Sequence, residues 1–353
     1  MRVLALVSDG FGAHGGIAAY NRELLNALGD SAQISWLRVL PRFAGCVPRH
    51  AKITQDIARR NRYRYALAVI ARCVRESADW VFCGHVHHLP LACLAATLCG
   101  GRVWLQLHGI EAWQSPGRLT GAMTRRCDLV TAVSRVTRER FLSWSNVDPQ
   151  RVKVLSNTFS PHFTPGNVDA ALRERFVANG EALILTVSRL HKSERYKGHE
   201  HVMRALLEAP LQTQPKPAYV IAGDGDDVRY LQQRARDLGL EKRVHLIGPV
   251  APSGLRALYR SADVFVMPST GEGFGIVYLE AAACGIPVVG GDADGARDAL
   301  REGELGALVD ARDPVAIAQA IRTAIDTPHA PQGTALFSRA QFREQLRGVL
   351  ASA

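Results

Sequence analysis

Long apolar runs are missing from this 353-residue sequence. No stretch reaches the roughly 18 apolar residues that a bilayer-spanning helix requires, and the longest candidate, Leu89 to Gly101, reads as a buried helix. The opening MRVLALVSDG looks like a secretion signal for only a few residues before Asp9 breaks the apolar run. Cysteine is sparse. Seven are scattered with no C-x-x-C spacing, which argues against a disulfide framework or structural zinc site and makes reduced cytosolic thiols the simpler reading. Cys83 with His85, His87 and His88 invites a metal reading, but the group follows an apolar strand and no metal is expected there. Internal repeats and low-complexity tracts are also missing.

Acidic residues are scarce in one half only. Residues 1 to 165 carry 21 Lys and Arg against 10 Asp and Glu, net +11, whereas residues 166 to 353 carry 22 against 23, net −1. Such asymmetry concerns partners, not fold. The densest segment, residues 58 to 76, sets Arg59, Arg60, Arg62, Arg64, Arg72 and Arg75 beside Ala66, Leu67, Val69, Ile70 and Val74, with Tyr63 and Tyr65 among the arginines. A basic amphipathic stretch with aromatics suits an anionic membrane surface; a surface helix with a solvated basic face accounts for it equally well. The expectation is that Arg59, Arg60, Arg62 and Arg64 meet lipid headgroups with both tyrosines at the interface. No nucleic-acid partner is expected.

What is present is ordinary for a globular protein: 47% hydrophobic and 22% charged residues. Short apolar runs alternate with helix-length stretches, the pattern of parallel sheets with crossover helices. Strands are expected at Val3 to Val7, Ile34 to Val39, Trp80 to Cys83, Val103 to Leu107, Leu129 to Val133 and Val152 to Leu155. The second half supplies Ala182 to Val187, Tyr219 to Ala222, Val244 to Ile247, Val264 to Met267, Pro287 to Val289 and Ala307 to Val309. Between the halves, SPHFTPGN at 160 to 167 reads as a linker. Gly10, Gly12 and Gly15 satisfy a dinucleotide-binding spacing literally, but Ile34 to Leu40 ends without the acid an NAD ribose needs. Arg38 or Arg42 leaves an NADP-dependent oxidoreductase as a poor alternative.

The most informative stretch is STGEGFGIVYLEAAACGIPVVGG, Ser269 to Gly291. It places Glu272 and Glu280 either side of a glycine-rich turn running into a helix expected over Ile276 to Cys284. Orphan backbone N–H groups at a helix start, with the helix dipole, favour phosphates and electron-rich oxygens. Glu272 is positioned to accept from sugar hydroxyls, and Glu280, more than two turns on, to accept from a separate diol such as a ribose. Upstream, Arg189 ends a strand and Lys197 follows eight residues later, so one short loop aims both at a diphosphate. His108 follows the strand VWLQL, at the carboxyl end of the first sheet, where open α/β proteins place ligands.

This E-x7-E segment resembles the signature of family-4 retaining glycosyltransferases. Similar landmarks occur in the family's order: HGGI at 14 to 17, LHGIE at 107 to 111, VSRLHKSERYKG at 187 to 198, YVIAGDGDD at 219 to 227 and ELGALVDARDP at 304 to 314. The resemblance implies an α/β GT-B fold, two Rossmann-like domains with parallel sheets facing an interdomain cleft. Residues 1–165 would bind acceptor, 166–335 would bind the nucleotide sugar, and a terminal helix in 336–353 would pack back on the first domain. It further implies catalytic roles for His108, Arg189, Lys197 and Glu272, and donor contacts from Gly15, Gly16, Gly223, Gly273, Phe274, Gly275, Ile276 and Glu280. Glu111 is expected to orient His108 or touch the acceptor.

The implied reaction moves a hexose from a UDP- or GDP-sugar, with retention and without cofactor or metal, to a glycan or to a polyprenyl-diphosphate-linked or lipid A-linked acceptor. Exopolysaccharide or lipopolysaccharide assembly, on the inner face of the cytoplasmic membrane, is the expected setting. A nucleotide-sugar epimerase of the same fold is the alternative chemistry.

Overall fold

The apolar runs form two all-parallel sheets in the computed structural model, which describes residues 1–12, 15–44, 50–178, 180–213 and 215–352. The chain divides into two compact units: Met1–Thr158 with Arg339–Ala353, and Phe159–Ser338. Unit 1 holds β1 (Arg2–Asp9), β2 (Trp36–Ala44), β3 (Ile53–Gln55), β4 (Trp80–Cys83), β5 (Arg102–Leu107), β6 (Leu129–Ala132) and β7 (Val152–Val154) in the order β3-β2-β1-β4-β5-β6-β7. Unit 2 holds β8 (Leu183–Val187), β9 (Ala218–Ala222), β10 (Val244–Gly248), β11 (Val264–Met267), β12 (Val288–Gly291) and β13 (Ala307–Val309) in the order β10-β9-β8-β11-β12-β13. Helices cover both faces, so central strands such as β4 and β11 are buried throughout and read as unbroken hydrophobic runs. Strand β3, three residues at a sheet edge, has no counterpart among the expected strands.

Unit 1 contains helices α1 (Gly16–Asp30), α2 (Arg62–Arg75), α3 (Leu89–Cys99), α4 (Arg118–Met123) and α5 (Arg135–Leu142). Unit 2 contains α6 (Ala170–Arg173), α7 (His199–Ala205), α8 (Val228–Asp237), α9 (Pro252–Ser261), α10 (Ile276–Ala283), α11 (Ala296–Ala299) and α12 (Pro314–Asp326), and α13 (Arg339–Ala351) returns to unit 1. In α13, Phe342 and Leu346 are buried, the Phe342 ring stands edge-on 6.0 Å from Tyr20 of α1, and Arg339 and Arg343 pair with Glu23 and Asp30.

Helix α2 begins where Asn61 accepts from the Tyr63 and Arg64 N–H groups at 3.0 and 3.1 Å, an N-cap that satisfies two orphan donors. Tyr65, Val69 and Cys73 recur at helical spacing and face the sheet, and burial of the Val69 side chain alone stabilises by roughly 1.5–3 kcal/mol. Of the two tyrosines expected at the interface, Tyr65 turns inward instead. Tyr65 is buried and its hydroxyl donates to the Leu40 carbonyl at 3.0 Å, so it does not reach the surface with Tyr63. Arg38, one of the two cations an NADP reading would use, is tied to Asp56 at 2.8 Å and Glu76 at 3.0 Å.

All six described cysteines are free and buried. The Cys83 thiol donates to the His85 carbonyl at 3.2 Å, and burial pushes His85 and His88 down to about 4. Among the described residues, no three His, Cys, Asp or Glu side chains converge as a metal ion would need.

Candidate active site

In an open parallel sheet the strand order reverses at one point, and the loops leaving the carboxyl ends of the strands there diverge to leave a crevice. In unit 2 that point lies between β8 and β11. Arg189 and Lys197 belong to the loop after β8, and Glu272 to the loop after β11. Two distant sequence segments are therefore adjacent by topology.

Their side chains form one ionic chain. Arg189 pairs with Glu194, Glu194 accepts from the Lys197 ammonium at 3.0 Å, and that ammonium stands 3.6 Å from the Glu272 carboxylate. Lys197 is 7% exposed, whereas the Arg189 side chain keeps 60% of its surface open. Glu194 is a site residue that sequence reasoning missed; its signal is an acid three residues before a lysine at the end of one turn. Arg195, the neighbour most easily confused with these cations, is committed elsewhere. It forms a two-pronged pair with Asp227 at 2.8 and 2.6 Å and stacks 3.7 Å from the centre of the Tyr230 ring.

The loop carrying Glu272 is fixed through its backbone. Its N–H donates to Ser269 Oγ at 3.2 Å and to Asp294 Oδ2 at 2.6 Å, and its carbonyl accepts from the Gly295 N–H at 2.9 Å. Asp294, also missed from sequence, accepts from the Ala296 N–H at 2.9 Å and so holds the loop after β12 against the loop after β11. The Asp-Gly pair before a short helix was the available sign. Burial pushes the Asp294 carboxyl up to about 7.

A carboxyl raised in the folded state stabilises most when protonated and loses that contribution as pH rises through its folded pKa. The melting-temperature advantage of wild type over Asp294→Asn is therefore expected to shrink between pH 5 and pH 8. Calorimetry across that range checks it; a constant difference would show that Asp294 is not titrating in the fold.

Gly275 precedes helix α10 as its N-cap; its φ of 86° lies in the left-handed region, and without a side chain it leaves the first N–H groups of the helix uncapped. Gly273 is buried in the turn before it, and Ile276 opens the helix half-buried. The Phe274 ring is turned inward, 2% exposed and edge-on to Phe337, so only its backbone is placed to serve a ligand. Glu280 retains partial exposure, yet burial pushes its carboxyl up to about 7 despite the hydrogen bond it accepts from Tyr259 at 3.0 Å. Gly223 leaves β9 with φ 151°, and a Cβ there would strike the Ser188 carbonyl of the loop after β8.

Unit 1 reverses its strand order between β1 and β4. Gly15 and Gly16 follow β1 and open α1, Gly15 with φ 104°, and a Cβ at either meets nothing. His14 of the HGGI landmark lies outside the described residues. His108 follows β5, where its Nε2–H donates to the Gly84 carbonyl at 3.0 Å and its ring stands 5.2 Å from Tyr20. That bond leaves Nδ1 as the acceptor nitrogen of a neutral ring, and burial holds the His108 pKa below its ordinary value. Glu111 accepts from the His108 and Gly109 backbone N–H groups at 2.6 and 3.2 Å. It thus braces the turn that carries His108.

Two sequence models cover nearly the whole chain: glycosyl transferases group 1 matches residues 169–343, and Glycosyltransferase Family 4 matches residues 14–162. The chain belongs to the family-4 glycosyltransferases.

Among relatives of this glycosyltransferase, a GDP-mannose-dependent alpha-(1-6)-phosphatidylinositol monomannoside mannosyltransferase of Mycolicibacterium smegmatis is 34% identical over 254 residues. That stretch covers 68% of this chain and 65% of the relative. The protein of the same description from Mycobacterium tuberculosis is 29% identical over 91% of this chain and 88% of its own length. The crystal structure of Anabaena HepE in complex with UDP-glucose superposes with a TM-score of 0.80 over the full length of both chains at 22% identity. The lipopolysaccharide outer core galactosyltransferase WaaB, in its apo form, follows at 0.75, 18% identity and 99% of both chains. The fold is GT-B.

Proposed function

We propose that this glycosyltransferase moves a hexose from a UDP- or GDP-sugar to an acceptor hydroxyl with retention at the anomeric carbon. One observation carries the reading: Arg189 and Lys197 are gathered by Glu194 beside Glu272 at the point where the unit 2 sheet reverses its strand order. Cations held by one carboxylate are ready to exchange it for a diphosphate, and fixed charge beside a departing nucleoside diphosphate stabilises the transition state. The leaving phosphate takes the acceptor proton while the protein supplies position and charge. Glu272 accepts from the sugar and Glu280 from the ribose. Gly223, Gly273, Gly275, Ile276 and the Phe274 backbone line the donor, and His108, Gly15 and Gly16 serve its sugar and phosphates. Charge stabilisation falls to Arg189 and Lys197, with no metal or cofactor.

Relatives named for GDP-mannose and a neighbour bound to UDP-glucose support both donor bases. An acceptor linked to a lipid, polyprenyl diphosphate or lipid A, or a growing surface glycan, agrees with a relative named for a phosphatidylinositol monomannoside; a neighbour in fold alone is named for the lipopolysaccharide outer core. The proposed setting is exopolysaccharide or lipopolysaccharide assembly.

A melting screen of UDP, GDP, UDP-hexoses and GDP-mannose tests the donor. A ligand present at about 100 times its Kd adds roughly 2.7 kcal/mol to the folded state, so one nucleotide family should raise the melting temperature selectively. Radiolabelled sugar should then move to acceptor. No shift with any nucleotide and no sugar release would remove the reading.

A further inference from the structure

The inward stripe of α2 leaves a second apolar stripe facing water. Tyr63, Leu67, Ile70 and Val74 follow one another at four-, three- and four-residue steps along the opposite side, and Tyr63, Leu67 and Val74 are 64%, 66% and 71% exposed. On α3, which packs beside α2, Leu94 and Leu98 are 44% and 42% exposed. Arginines rim this ridge. Arg59, Arg60, Arg62, Arg64 and Arg75 are exposed, and α2, α3 and α4 contain no acidic residue. Arg62 lies over the Tyr63 ring at 4.8 Å, its guanidinium donating to the tyrosine hydroxyl at 2.7 Å.

We propose that this ridge docks unit 1 on an anionic lipid bilayer. Large aliphatic side chains in water are unfavourable, and an apolar patch with a charged rim marks a contact surface. A bilayer interface accommodates both parts: apolar side chains enter the headgroup boundary while arginine stems snorkel to phosphates. A second copy docking through the same face would set arginine against arginine, which is repulsive. Nucleic acid would use the arginines but leaves the aliphatic ridge without a counterpart, since its backbone is read by charge. The geometry goes beyond a basic helix, because attachment has an electrostatic and an apolar component on separable residues. It concerns a surface remote in sequence from the sugar-transfer residues and stands or falls independently of that reading.

The full chain is pelleted with vesicles of phosphatidylcholine alone or mixed with phosphatidylglycerol, without any sugar donor. Binding to the mixed vesicles is expected at low salt and little to neutral ones. Changing Arg60, Arg62 and Arg64 together to glutamine should weaken it at least about tenfold. Leu67→Ser with Val74→Ser should retain much of the low-salt binding but lose the fraction that survives at high salt, where charge is screened. Both variants alter exposed positions and should melt as wild type does, which separates lost docking from lost folding. Equal binding to neutral vesicles, no binding, unchanged binding by the serine variant, or a dimer dissolved by that variant would each overturn the proposal.

Discussion

Alanine in place of Arg189 or Lys197 is expected to slow sugar transfer by on the order of 10² to 10³-fold with little change in melting temperature for Arg189. The Arg189 side chain is largely open, so its loss removes charge without opening a core. Lys197 is buried, and its removal leaves Glu194 and Glu272 without the ammonium between them, so a modest loss of stability should accompany the loss of rate. Arg195→Ala is the control. Its bonds to Asp227 and its stacking on Tyr230 are structural, so it should lower the melting temperature more than the turnover of the folded fraction. Single-turnover kinetics with each variant decide the matter, and wild-type rates for both Arg189→Ala and Lys197→Ala would show that other cations carry the transfer.

The second large effect separates the two glutamates. Glu280→Ala should weaken free nucleoside diphosphate and nucleotide sugar alike, by about 10- to 100-fold if a charged acceptor contributes roughly 1.5–3 kcal/mol through its hydrogen bonds. Glu272→Ala should mainly reduce turnover. Because burial holds the Glu280 carboxyl up to about 7, the form that accepts from both hydroxyls of a diol grows as pH rises through that value. Affinity for nucleoside diphosphate should therefore increase from pH 6 to pH 8 in wild type and lose that dependence in Glu280→Gln. Titration calorimetry at both pH values measures it. Equal small losses for Glu272→Ala and Glu280→Ala would dissolve the assignment.

Much of the fold was legible because buried parallel strands are written as short apolar runs, and the runs at 80–83, 219–222 and 264–267 fall within their strands. Strand β3 was not legible, since three residues at an edge carry too little pattern. Helix α2 was readable as amphipathic and basic, but its apolar residues belong to two stripes, and only packing decides which one meets the sheet. Tyr65 went inward and Leu67 outward for that reason. At the candidate site, the residues proposed to meet phosphate or sugar stood out by their glycines and spacing. Glu194 and Asp294 did not, because their work is to hold Lys197 and the Glu272 backbone, and such partners are set by loop proximity in space.

Tyr20 touches three parts of unit 1 at once. Its hydroxyl donates to Gln106 at 2.7 Å, and its ring meets both His108 and Phe342 of α13 edge-on. The wall behind His108 is thus assembled from segments separated by the entire second unit. During synthesis, a ribosome releases α1 and β5 long before α13 exists, so the aromatic stack stays open to water while residues 159–338 are made and folded. Catalytic competence should consequently lag the appearance of sheet structure, and a nascent chain stalled before Phe342 should present a loosened His108 turn on an otherwise formed sheet.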